Sequence, residues 1–303
     1  MTRPQVVLHP QHVRGLEDAL RRLDIDLLVP EEDDLTAAIH TSGILVTYVW
    51  DDAYLPGLRW IQSISAGHDH YPHDVLEAQG VVLTSASGVH APQMAEHAFA
   101  LLLSLTRGVG VASRNAVESR WKPMMLHELS GMTLGVLGLG AIGEEVARRA
   151  KAWGMDVIGT KRTTVGYEGA ADEVLGADGT VEVFRRSDAV VSVLPGGDET
   201  NGIVTLPMLE SLNGWFVNIG RGNVVSEADI AAAIESGGLL GAGLDVFDTE
   251  PLPETSPLWS NPRVVITPHV GGLSPHYGRR LSEIFEHNLQ AFVGDAEWRN
   301  RIV

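Results

Sequence analysis

Thr133-Leu134-Gly135-Val136-Leu137-Gly138-Leu139-Gly140-Ala141-Ile142-Gly143 is an apolar run that breaks into glycines. The run reads as a buried strand ending at Gly138. From there Gly138, Gly140 and Gly143 keep G-x-G-x-x-G spacing, and Ile142, Val146, Ala150 and Trp153 share one face of a helix that Gly154 can stop. Strand, glycine turn and helix in that order give the spacing its meaning. The first glycine allows a tight turn, the second lets backbone approach a pyrophosphate, and the third lets helix pack closely on strand. The helix start, with the amides of Ala141 and Ile142, offers N–H groups and a positive dipole end to phosphates. A glycine-rich turn in some other α/β protein is the minority reading, although 33 glycines in 303 residues also produce chance matches.

The following strand, Asp156–Thr160, ends where an NAD-binding unit places an acid for the ribose 2′-OH. Here the residues are Lys161-Arg162-Thr163, and Lys161 lies 18 positions after Gly143. That is close to the spacing of about 20 expected for the acid. A carboxylate would repel a 2′-phosphate, whereas two cations and a hydroxyl would bind one. Solvated strand-end charges are the bland reading. Position favours NADP(H), with NAD(H) still possible.

The formal net charge of −17 argues against nucleic acid and anionic membrane surfaces as partners. Only three of the 22 cations are lysine, which makes a lysine in a pocket informative. There are no cysteines, so disulfides, thiolate metal sites and cysteine nucleophiles are excluded. No run approaches membrane-spanning length, and a cytoplasmic protein is the default.

The first hundred residues alternate strand and helix. Strands are expected at Gln5–Leu8, Ile25–Val29, Gly43–Val49, Leu58–Ile64 and Val81–Thr84, with helices at Gln11–Leu23, Asp33–His40 and Asp74–Gln79. Pro92–Arg107 reads as a helix too apolar for a free surface. Gly108–Ser130 reads as a polar, irregular arm carrying Trp121 and Pro123-Met124-Met125, of the kind that marks an interface. Later strands are expected near Ala189–Leu194, Trp215–Ile219, Gly241–Asp245 and Val264–Ile266. Ser226 caps a helix to Glu235, Thr249–Asn261 is stiff and non-helical with three prolines, and Ser274–Val293 is a helix returning to the first unit. The pattern is α/β: two doubly wound parallel-sheet domains, residues 1–92 plus 273–303 and residues 93–272, with ligands in an interdomain cleft.

Three stretches fall at C-terminal strand ends, the edge where open α/β sheets bind ligands. They are Asn218-Ile219-Gly220-Arg221-Gly222, Leu244–Pro251 and Thr267-Pro268-His269-Val270-Gly271-Gly272. Each offers one reactive side chain: Arg221, Glu250 and His269. Arginine grips a carboxylate in two-pronged fashion, and histidine moves a proton near neutral pH. A carboxylate beside that histidine favours its protonated form. Singly, each is more often a surface or structural group. All three gathering by chance downstream of a dinucleotide motif is far less common.

Together these motifs resemble the D-isomer-specific 2-hydroxyacid dehydrogenase family. The resemblance spans nearly the whole chain: Ser65-Ala66-Gly67-His68-Asp69-His70, Gly88-Val89 with Ala95-Glu96-His97-Ala98, the glycine motif, Pro195 with Glu199-Thr200, and the three strand ends. With Lys161-Arg162-Thr163 in place of an acidic strand end, it is most similar to NADP-using glyoxylate/hydroxypyruvate and 2-oxoacid reductases. The resemblance implies a flavodoxin-like substrate domain and a Rossmann cofactor domain. It implies that Arg221 binds the substrate carboxylate and carbonyl oxygen, that His269 donates the proton, and that Glu250 orients and charges His269. Asp245 would hold the nicotinamide carboxamide, and backbone around Ala66 and Gly67 would complete the carboxylate site. Leu194, Pro195 and Thr200, then Ile219, Gly220 and Arg221, then His269 and Gly271, would line the cofactor. The helix and arm of residues 93–130 would form a homodimer, with Trp121 toward the partner's pocket, and no metal is implied.

Departures from the family pattern matter too. His68 stands where a small aliphatic residue is usual and either reshapes the pocket or faces solvent. Gly196-Gly197-Asp198 is unusual after Pro195. Feedback regulation of the phosphoglycerate dehydrogenase kind is not expected, for want of an extra C-terminal domain, and Glu250 argues against the formate dehydrogenase branch. The expected activity is reduction of a small 2-oxoacid to the D-2-hydroxyacid. The alternative is a non-catalytic, dinucleotide-sensing interaction protein like the related C-terminal-binding corepressors.

Overall fold

Short runs of Val, Leu and Ile without alternation fold here as parallel strands, because a strand covered on both faces has no polar side to present. The computed structural model describes residues 3–12, 15–68 and 70–303. The chain divides into two compact units, Met1–His90 with Leu273–Val303, and Ala91–Gly272.

In the first unit the elements run β1 (Gln5–Leu8), α1 (Glu17–Leu20), β2 (Asp26–Leu28), α2 (Leu35–Ser42), β3 (Ile44–Thr47), β4 (Trp60–Ser63), α3 (His73–Ala78) and β5 (Val82–Thr84). The sheet has the order β2-β1-β3-β4-β5 with parallel pairing throughout, the doubly wound order of flavodoxin-like domains. The helix expected over Gln11–Leu23 shrinks to Glu17–Leu20. Gly15, at φ +79°, interrupts it, while Val13 and Arg14 lie outside the described residues, as does Asp69.

The second unit opens with α4 (Ala91–Thr106) and α5 (Val109–Val117), followed by β6 (Thr133–Leu137), α6 (Ala141–Ala152), β7 (Asp156–Thr160), β8 (Glu173–Leu175), α7 (Thr180–Arg186) and β9 (Ala189–Ser192). Then come α8 (Leu206–Leu212), β10 (Gly214–Asn218), α9 (Glu227–Ser236), β11 (Leu239–Leu244) and β12 (Val264–Ile266). The seven parallel strands take the order β12-β11-β10-β9-β6-β7-β8. Strand order reverses between β6 and β9, the switch point outside which doubly wound sheets bind ligands. Two apolar cores cover the sheet. One contains Leu134, Val136, Val191 and Val217 with α4 and α6, and the other Leu137, Val190, Phe216 and Leu244 with α7, α8 and α9.

Three expectations for this unit need correction. Gly108–Ser130 is not wholly irregular: Gly108, at φ +64°, breaks α4, and α5 follows with no buried residue. Only Gly110, Val111 and Asn115 are even half buried, too few to leave an apolar stripe in the sequence. The three-residue edge strand β8 was not expected, being short and only half buried. The loop expected to be non-helical carries a 3₁₀ turn, Pro257–Ser260, begun by Pro257 and capped by Ser256. The last helix, α10 (Tyr277–Val293), belongs to the first unit, where Phe285 stacks on Trp60 with ring centres 4.9 Å apart. Among the described residues, no helix is long and apolar enough to cross a membrane.

Candidate active site

Parallel pairing sends the C-terminal ends of β6, β7, β9, β10, β11 and β12 to one edge of the larger sheet. At β6 the three glycines differ in what they permit. Gly138 sits at φ +94°, open to glycine but strained for other residues. A Cβ on Gly143 would lie 2.2 Å from the Gly138 carbonyl oxygen, so only hydrogen lets α6 approach the strand so closely. A Cβ on Gly140 would meet nothing within 4 Å. No side chain caps α6, which begins at Ala141 and Ile142. An open second glycine beside an uncapped helix start fits a dinucleotide pyrophosphate.

Beyond β7, Arg162 and Thr163 are exposed, while Lys161 is half buried with its ammonium on the Leu139 carbonyl. After β9, Leu194 runs against the next loop. A Cβ on Gly220 would lie 2.5 Å from the Leu194 carbonyl oxygen. Thr200 closes the turn that follows, donating to the Pro195 carbonyl at 2.7 Å.

Arg221 follows β10 and is exposed. Its loop is shaped by Asn218, fully buried, which accepts from the Gly220 amide at 3.1 Å and donates to the Arg221 carbonyl at 2.9 Å. His269 follows β12, and its Nδ1 stands 2.7 Å from Glu250 Oε2. A carboxylate only accepts, so Nδ1 carries the hydrogen and Nε2 is turned away from the pair. The other oxygen of Glu250 accepts from the Phe247 amide at 3.0 Å, which fixes the carboxylate. Among the described residues, no group of three His, Asp or Glu is placed to hold a metal.

Asp245, expected at the nicotinamide, is 1% exposed and already occupied. His97 Nε2 and Thr267 Oγ1 donate to its Oδ1 at 3.1 and 2.6 Å, the Val270 amide at 3.0 Å, and the Gly271 amide to Oδ2 at 3.0 Å. Burial alone would raise its pKa. The bonds from His97, Thr267, Gly271 and Val270 outweigh that and hold the carboxyl well below the usual carboxylate range. The Asp245 carboxylate thus staples the turn that carries His269. His97 had no role assigned to it from sequence. The sequence signal is an imidazole on the helix face that also carries Met94, Ala98, Leu101 and Leu102, where burial calls for a polar partner.

Of the residues expected from the first unit, Ala66 is exposed, and the Gly67 amide donates to Ser65 Oγ at 3.2 Å. His68 does not simply face solvent: its Nδ1 lies 3.1 Å from His73 Nε2. On the arm, Trp121 is 96% exposed.

Residues 99–271 match the D-isomer specific 2-hydroxyacid dehydrogenase family, NAD binding domain. The chain is 32% identical to a glyoxylate reductase of Korarchaeum cryptofilum over 92% of its own length and 89% of the relative's. It is 31% identical to glyoxylate/hydroxypyruvate reductase B of Serratia proteamaculans, over 95% and 94%. Among solved structures, it superposes with a TM-score of 0.75 on an NADPH-dependent glyoxylate/hydroxypyruvate reductase of Sinorhizobium meliloti in complex with NADP and malonate. The identity there is 26%, covering 99% of this chain and 97% of that one.

Proposed function

The chain belongs to the D-isomer specific 2-hydroxyacid dehydrogenase family, and from that premise we propose that it is a cytoplasmic, NADPH-preferring reductase of a small 2-oxoacid. The observation that carries the proposal is the His269–Glu250 pair, 2.7 Å apart on the sheet edge that also bears the glycine turn and Arg221. The names of the relatives, reductases of glyoxylate and hydroxypyruvate, support this chemistry and favour catalysis over the dinucleotide-sensing alternative.

Gly138, Gly140 and Gly143 would hold a nicotinamide dinucleotide by its pyrophosphate, and that cofactor would supply the hydride. His269 holds a proton at Nε2 for the oxygen on C2, its ring kept in place by the Nδ1–H bond to Glu250. Half of the His269 side chain is exposed (51%), so the ring can be reprotonated from water. The Arg221 guanidinium pairs with the substrate carboxylate, which orients the carbonyl. Arg162 and Thr163 take the 2′-phosphate through charge-assisted bonds. The exposed apolar residues of the arm, Val117, Trp121 and Met125, support a homodimer through residues 93–130.

The test is steady-state consumption of NADPH and of NADH with glyoxylate, hydroxypyruvate, phenylpyruvate and branched 2-oxoacids. Turnover with at least one acid and a lower KM for NADPH supports the proposal. Absence of turnover with every acid, despite tight nucleotide binding, returns the sensing alternative. A strong preference for NADH rejects the assignment of Arg162 and Thr163.

A further inference from the structure

Lys161 does not stand as a free strand-end cation: its ammonium donates to the carbonyl of Leu139, the residue between Gly138 and Gly140. Two further bonds join the same segments. The Gly138 amide donates to Thr160 Oγ1 at 3.2 Å, and the Leu139 amide to the Thr160 carbonyl at 2.8 Å. The Leu139 side chain, 1% exposed, fills the slot left by Gly159, where a Cβ would lie 2.6 Å from it. On its other side, the Lys161 amide donates to the Leu175 carbonyl of β8 at 3.0 Å. The ammonium is therefore a third clasp between the end of β7 and the glycine turn, anchored through its own backbone to the sheet.

We propose that Lys161 is a positioning residue of the dinucleotide site, holding the glycine turn in the shape that receives a pyrophosphate. This rests on reading that turn as the dinucleotide site. A clasp on the turn acts on every ligand that binds through its pyrophosphate, with or without a 2′-phosphate. A cation touching the 2′-phosphate would act on NADPH alone.

Fluorescence titration with NADPH and with NADH separates the two roles in wild type, Lys161→Met, Lys161→Arg and Arg162→Gln. Amide hydrogen exchange of peptides covering residues 138–143 is followed in the ligand-free proteins. Lys161→Met is expected to weaken both nucleotides by a similar factor, about tenfold for the loss of one charged hydrogen bond, and to speed exchange in the turn. Lys161→Arg recovers part of both, and Arg162→Gln weakens NADPH alone without altering exchange. Should Lys161→Met not fold, Lys161→Gln, whose amide can still donate to a carbonyl, carries the same comparison with a smaller loss. A loss confined to NADPH, with exchange unchanged, overturns the proposal and leaves the NADPH preference standing. Equal wild-type affinities untouched by Arg162→Gln overturn that preference, while a parallel loss in Lys161→Met still supports the clasp. Failure of the wild type to bind either nucleotide overturns both.

Discussion

His269 adopts φ +53°, a left-handed conformation that costs a non-glycine residue energy and persists where surroundings impose it. The imposing group is Asp245, whose carbonyl accepts from the His269 amide at 2.9 Å while its carboxylate holds the next two amides. The imidazole is then aimed from both ends, by the backbone staple and by Glu250. General acid catalysis is worth about 10²–10⁴-fold. His269→Gln should therefore lower kcat by a factor in that range while leaving the dissociation constant of NADPH within about twofold. Steady-state turnover and binding measurements on the one variant check both halves, and a near-normal kcat removes His269 from the proton-donor role.

At the scale of elements, the turn between β6 and α6 separates a glycine required for packing, Gly143, from one with open space around it, Gly140, which the proposed function assigns to binding. A methyl on Gly143 collides with the Gly138 carbonyl and forces α6 off the strand. Overpacking of this kind costs about 1–3 kcal/mol. A methyl on Gly140 meets open space at an ordinary φ of −96°. Gly143→Ala is expected to lower the thermal midpoint. Gly140→Ala should keep that midpoint and weaken dinucleotide binding instead. Thermal unfolding and nucleotide titration of the two variants decide the matter: a Gly140→Ala protein with unimpaired binding would show that no phosphate passes there.

For the whole molecule, stability should fall on mild acidification through the first unit. His9, 1% exposed, is bonded in its neutral form, with Nδ1 accepting from the Gln11 amide and Nε2 against the Tyr54 hydroxyl, both at 3.3 Å. Burial, opposed by the charge of Glu32, lowers its pKa from 6.5. Below 6.5 the unfolded chain binds a proton that the folded chain refuses, so this stabilisation is complete above that value and is lost as pH falls beneath it. Denaturant midpoints at about pH 7.5 and about pH 5.5 should differ less in His9→Gln than in wild type. The same difference in both removes His9 from the acid response. Assembly is the second prediction at this scale. If residues 93–130 form the dimer, replacing Trp121 and Met125 by serine should halve the mass measured by light scattering without loss of helix content. A wild-type monomer would refute the arm as an interface.

The sequence by itself determined the α/β class, the strand–turn–helix at Gly138–Gly143 and the identity of the three strand-end side chains. Each is a local signal, since glycine spacing, apolar runs and capping residues act over a few positions. Tertiary structure alone decided what those side chains do next. That Asp245 is saturated by His97, Thr267 and two amides, and that Lys161 leans on Leu139 rather than into solvent, depends on hydrogen bonds between residues up to 148 positions apart. Such bonds leave no periodicity in the chain. They form only where the fold brings buried donors and acceptors together with no water to satisfy them.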